Sequence, residues 1–182
     1  LIKNKRAKGF FIYIGLKKST KKANSLAILA SLLFAAPPLI LTFISADFKE
    51  IMLDPNSITG KFNEMGLGMN SIFILLVIAI FKTAFAEEIF FFFFIAKRLI
   101  SVVGFPKGNI LQALLFGIIH AGIFAMTTQN PFFLTVIFII PALGAYVSVI
   151  LNEKYADGSI IPGWISHALA NIFSYSIVGF LI

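Results

Sequence analysis

The chain has 182 residues, of which 59% are hydrophobic and 22 are Phe. Soluble domains run at about 45–50% apolar, so this composition excludes a soluble globular protein and predicts a helical membrane protein. The absence of cysteine excludes disulfides, thiolate metal sites and a cysteine nucleophile.

Net charge is +7, and eight of the 15 Lys and Arg residues lie in the first 22 positions. In a membrane protein that asymmetry reads as topology and not as nucleic-acid binding. The basic start does not resemble a cleavable signal, because the apolar run after it is too long. The chain begins with Leu, which leaves room for upstream helices.

In chain order, residues 1–25 form a basic N-terminal segment, and residues 26–182 form one transmembrane domain. Phe10 to Leu16 fits a short amphipathic piece at the membrane surface. Span one is predicted from about Ser25 to Ala46, with Pro37 and Pro38 expected to kink it. Residues 47–68 read as a polar loop, with turns at Pro55 and Gly60. Span two runs from about Met69 to Ala96, contains Glu87 and Glu88, and ends at Lys97 and Arg98. Gly104, Pro106 and Gly108 form a tight connection.

Span three is expected from about Asn109 to Met126 and span four from about Phe132 to Leu151. The loop Asn152 to Ser159 follows. Span five runs from about Ile160 to Ile182, with Pro162 tolerated in its first turn. The expected fold is an all-α polytopic bundle of about five spans. Placing Lys17, Lys18, Lys21, Lys22, Lys97, Arg98, Lys107 and Lys154 on one side puts the N-terminus in the cytoplasm.

A carboxylate in hydrocarbon costs several kcal/mol unless it faces protein or a watered cavity. Glu87 and Glu88 are adjacent, and helical neighbours point about 100° apart. One can face a site while the other needs a structural partner. The only two histidines, His120 and His167, are also inside spans. A lone intramembrane histidine is often structural; two beside a buried acid point elsewhere. At about 1.5 Å per residue, Glu87, His120, His167 and Asn171 fall roughly 10–17 Å from the cytoplasmic boundary. His167 and Asn171 are spaced i,i+4 and share a face. Gln112, Phe116 and His120 form a similar row, beside small residues Ala113, Gly117 and Ala121 that permit close helix packing. A Glu, two His and an Asn suit water activation, with the histidines either holding a divalent metal or donating to an oxyanion.

Glu87-Glu88, then Phe116 to His120, then His167 to Asn171, in this order and in successive spans, resemble the motifs of the CPBP (CAAX protease and bacteriocin-processing, or Abi) intramembrane proteases. The likeness covers about residues 70–180. It implies an intramembrane metalloendopeptidase with Glu87, Glu88, His120, His167 and Asn171 as site residues. Within that set the resemblance makes Glu87 the base, His120 and His167 the metal or oxyanion ligands, Asn171 the polarising group and Glu88 a structural or secondary residue. It also implies a divalent metal, zinc foremost, held by His120 and His167. The substrate would be a peptide or lipidated protein in the bilayer of a bacterial cell, with no nucleic-acid partner. One position departs from the pattern: the arginine expected four residues after Glu88 is Phe92. The family is linked to CAAX-protein processing and to bacteriocin self-immunity. The competing reading is therefore a non-catalytic immunity or peptide-binding protein. A proton-coupled transporter is a third reading, disfavoured because no inverted repeat is evident.

Overall fold

A computed structural model describes residues 9–182, so the first eight residues of the basic segment lie outside the described residues. The described residues form an all-helical bundle. A single turn, α1 (Phe10–Tyr13), precedes the first span, α2 (Lys21–Ile44). Two short helices follow, α3 (Ala46–Met52) and α4 (Ile58–Met65). The remaining spans are α5 (Met69–Val103), α6 (Phe105–Phe124), α7 (Pro131–Tyr155) and α8 (Ile161–Leu181). Five helices, α2 and α5 to α8, are thus long and apolar enough to cross a bilayer.

Several boundaries differ from expectation, each for a local reason. α2 starts at Lys21, where the Thr20 hydroxyl accepts from the Ala23 N–H and caps the helix. It runs unbroken through Pro37 and Pro38, and the Thr42 hydroxyl donates to the Pro38 carbonyl at 2.7 Å. The expected polar loop 47–68 is instead mostly helical. Ser45 and Ser57 cap α3 and α4 by accepting from Phe48 and Gly60 N–H groups. These caps start helices within a stretch expected to be loop. Phe48 and Met52 of α3 then bury against Phe133 and Ile137 of α7 and Val178 of α8.

α5 does not stop at Lys97 and Arg98 but continues to Val103, where Gly104 adopts φ 81° and breaks it. The Lys97 stem folds back, with Nζ 5.1 Å from the Phe92 ring centroid and 3.8 Å from Glu153. A cation can thus end its hydrated course without ending the helix. α7 also continues beyond expectation, by a π-helical turn from Leu151 to Tyr155. That turn makes Asn152 a buried helical residue and not a loop residue.

Within α5 the backbone winds as a π-helix over Ile78–Phe85 and again over Glu88–Ala96. Between them Ala86 and Glu87 keep α-helical winding. Such wide turns are rare and gather at functional sites. Two side chains attend the first stretch. The Thr83 hydroxyl donates to the Ile78 and Ala79 carbonyls, and the Trp164 indole donates to the Ile80 carbonyl at 2.7 Å. A donor inserted from a neighbouring helix takes the place of a ladder bond.

Two apolar clusters frame the middle of the bundle. One holds Phe48, Met52, Phe133, Ile137 and Val178. The other holds Phe92, Ala96, Val149 and Ile160, with Leu16 packed on it. The N-terminal segment is tied to this second end. The Ile160 N–H donates to the Gly15 carbonyl at 2.9 Å, and the Ser159 hydroxyl donates to that of Lys17 at 2.7 Å. The small-residue row of α6 packs as expected: a Cβ at Gly117 would overlap the Phe138 backbone of α7. Gln112 serves the same contact, donating to Asn109 and to the Ala145 carbonyl.

Candidate active site

Three of the expected residues meet. Glu87 of α5 directs Oε2 between two imidazoles, 3.8 Å from Nε2 of His167 on α8 and 3.9 Å from Nε2 of His120 on α6. Phe116 seats both rings, with its centroid 4.2 Å from that of His120 and 5.9 Å from that of His167. Phe91, one turn after Glu87, closes edge-on against Phe116 at 4.6 Å. The i,i+4 spacing of Phe116 and His120 is thus a packing device as well as a motif.

The hydrogen bonds fix the tautomer of one histidine. His120 Nδ1 lies 2.9 Å from the Phe116 carbonyl. A carbonyl only accepts, so Nδ1 carries the proton and the neutral ring presents a lone pair at Nε2. That lone pair faces Glu87 Oε2, which is itself buried and has no hydrogen-bond partner. Two acceptors aimed at each other in a low-dielectric interior repel unless a proton, a water or a cation lies between them. The rest of the Glu87 side chain is not sealed: 30% of it is exposed. The site is therefore reachable from one side.

A divalent metal would need closely spaced donors. Tetrahedral ligands about 2.0–2.1 Å from zinc lie about 3.3–3.4 Å apart. The separations here, 3.8 and 3.9 Å, are wider. Accordingly, among the described residues no three of His, Cys, Asp and Glu already converge into a metal site. The donor chemistry fits at the histidines: imidazoles are common zinc ligands, and a Nδ1–H bonded to a backbone carbonyl, as in His120, is the usual outer support of a ligating histidine.

Glu88 and Asn171 have other partners. Glu88 is buried and turned away from the histidines. It accepts from Asn152 Nδ2 at 3.0 Å, so it has a neutral partner in place of the expected arginine. Phe92 is 2% exposed and packs with Ala96, Val149 and Ile160. Phe92 therefore offers Glu88 no polar partner, and the Asn152 amide takes that place. Asn171 donates through Nδ2 to the Thr83 hydroxyl at 2.8 Å, on the turn before Glu87. It borders the triad through Thr83.

Sequence reading missed Asn152, Thr83 and Trp164. The polar run after Leu151 reads as loop, yet a second buried carboxylate demands a donor, and Asn152 at the end of an apolar run is a candidate for it. Thr83, four residues before Glu87, was a polar interruption of span two. A separate groove lies elsewhere. About 370 Å³ in volume, it is lined by Leu67, Ile72, Leu75, Ile172 and Phe180, and none of the triad borders it.

Comparison with known proteins gives one match. A family model described as type II CAAX prenyl endopeptidase Rce1-like covers residues 69–173. No curated protein and no solved structure matches the chain.

Proposed function

We propose a function from the premise that this chain belongs to the Rce1-like family of type II CAAX prenyl endopeptidases, a family of membrane proteases. It is an intramembrane endopeptidase that cleaves a prenylated protein or another peptide presented at the bilayer. The observation that carries the reading is the unpartnered Oε2 of Glu87, facing the Nε2 atoms of His120 and His167 at 3.9 and 3.8 Å.

Glu87 is the general base. It takes a proton from water as the oxygen attacks the scissile carbonyl, and returns that proton to the leaving amine. His120 is held by Phe116 in the form that offers a lone pair and not a donor. That form favours metal ligation over oxyanion donation at this residue. A divalent metal held by His120 and His167, zinc foremost, would supply Lewis-acid polarisation at the site. Asn171 keeps one amide hydrogen for Thr83. Its remaining hydrogen and its carbonyl are left to orient the substrate peptide. Glu88 is structural. The bilayer is the medium, and the bias of the basic segments supports a cytoplasmic N-terminus.

A non-catalytic self-immunity or peptide-binding role is the second reading, and one observation favours it: Phe92 stands where the family's arginine is expected. One experiment separates the two. Purified protein in lipid nanodiscs would be given a farnesylated CAAX peptide, wild type against Glu87→Gln, with metal content measured on the same samples. Cleavage by wild type, lost in Glu87→Gln, upholds the peptidase. Stoichiometric metal that falls more in His167→Ala than in Glu87→Gln supports the ligand assignment. Binding without cleavage by both forms would instead sustain the second reading.

A further inference from the structure

We propose that Asn152 is a positioning residue of this site: its side chain locks the first turn of α8 to Glu88 and so sets His167 against Glu87. The inference rests on the peptidase reading above. Asn152 is fully buried on the π-helical turn that ends α7. Its Nδ2 donates to Glu88 Oε2 at 3.0 Å, and its Oδ1 accepts from the Gly163 N–H at 2.8 Å. The primary amide gives and takes at once; a carboxylate cannot donate. The backbone that carries it is fixed too, since the Asn152 carbonyl accepts from the Gly158 N–H at 2.7 Å.

One side chain therefore joins three spans. The Gly163 N–H belongs to the first turn of α8, where a helix has no acceptor of its own. A remote amide from α7 supplies one. At position 163 a Cβ would overlap the Glu88 carboxylate and the Asn152 amide, so glycine is what lets the three groups close.

The link to the reacting groups is short on both arms. Glu88 is the residue after Glu87, and His167 follows Gly163 by one helical turn. Trp164, beside Gly163, ties the same turn to α5 through the Ile80 carbonyl. An arginine at position 92 would have held Glu88 from its own helix. An amide from α7 holds it and α8 together. It touches neither histidine, so its effect is exerted through Glu88 and Gly163.

The test uses the full chain in nanodiscs and four forms: wild type, Asn152→Ala, Asn152→Asp, and the swap Asn152→Asp with Glu88→Gln. In the swap, the glutamine amide at 88 donates to the carboxylate at 152, which still accepts from Gly163. Turnover of the farnesylated peptide, thermal unfolding and imidazole NMR signals would be recorded. The chain has only two histidines, so the imidazole spectrum is simple. Each single variant should lower kcat by about tenfold or more with KM within about twofold, as misplacement of a catalytic group does. The swap should recover most of that loss. The His167 signal should shift in both single variants and return in the swap. Loss of kcat that merely tracks loss of folded protein, or a swap no better than the single variants, overturns the proposal. So does a His167 signal unmoved by Asn152→Ala. If wild type itself does not cleave, the peptidase reading fails, and the NMR comparison alone decides whether Asn152 positions His167.

Discussion

The Glu87 carboxylate faces two imidazole nitrogens and bonds to neither, while the Glu88 carboxylate, one residue on, is closed in by the Asn152 amide and the bare Cα of Gly163. The same residue type on the same helix is left unsatisfied in one place and answered in the other. Satisfied polar groups in an apolar interior hold a structure together; an unsatisfied one is retained at a cost of about 1–3 kcal/mol. Placed in a half-open site, that unmet demand is what a substrate, water or ion can use. The difference separates reactivity from scaffold without reference to any motif.

The comparison can be broken or sharpened by substitution. The largest effect should come from Glu87→Gln, which removes the proposed base and should cut turnover by about 100- to 10,000-fold. Its unfolding temperature should stay near that of wild type, because no hydrogen bond of Oε2 is lost. A large fall in stability would show that Glu87 is scaffold like its neighbour. Next comes Phe92→Arg. Position 92 is packed in an apolar cluster with the Lys97 ammonium over its ring, so a second cation there is buried and repelled. A loss on the order of 4 kcal/mol is expected, seen as poor expression and early unfolding. A stable Phe92→Arg protein would mean that Glu88 still seeks an arginine and that Asn152 does not suffice.

Gly163→Ala should cost about 1–3 kcal/mol, by forcing the Glu88 carboxylate and Asn152 amide apart. Unfolding in a graded detergent series would measure it. Glu88→Gln should be the mildest for stability, costing less than about 1 kcal/mol, because the amide oxygen still accepts from Asn152. Equal destabilisation by Glu88→Gln and Glu88→Ala would show that charge, and not the bond to Asn152, is what the scaffold needs.

Much of this arrangement was legible in the sequence. Long apolar runs gave all five spans, and counting depth along them put Glu87, His120 and His167 in one layer. Periodicity could do so because those histidines lie on regular α-helices, where 1.5 Å per residue holds. It failed where winding or capping departs from that rule. The π-helical winding of α5 was not legible, and neither was the Asn152 amide that meets Glu88 where an arginine was expected. Asn152 was read as loop because NEKYADGS is polar, although the helix runs on to Tyr155. α3 and α4 were hidden because their helicity depends on serine caps and on Phe48 and Phe62 meeting distant spans. Asn171 follows His167 by one turn of α8, but its partner Thr83 is fixed only by how α5 and α8 pack.

The distance along the chain between Glu88 and Asn152 has a consequence for biosynthesis. The two are 64 positions apart. At about 5–20 residues per second, a ribosome needs roughly 3–13 s to reach the amide after it has made the acid. During that interval α5 must enter the membrane carrying a carboxyl group with no donor. An uncompensated acid at the centre of a span raises the apparent insertion cost by about 2.5–3.5 kcal/mol. The long apolar flanks of α5, with five successive phenylalanines after Ile89, are what can carry that acid across the translocon. Nascent chains halted before Asn152 should hold α5 loosely, and those released beyond Gly163 should hold it firmly.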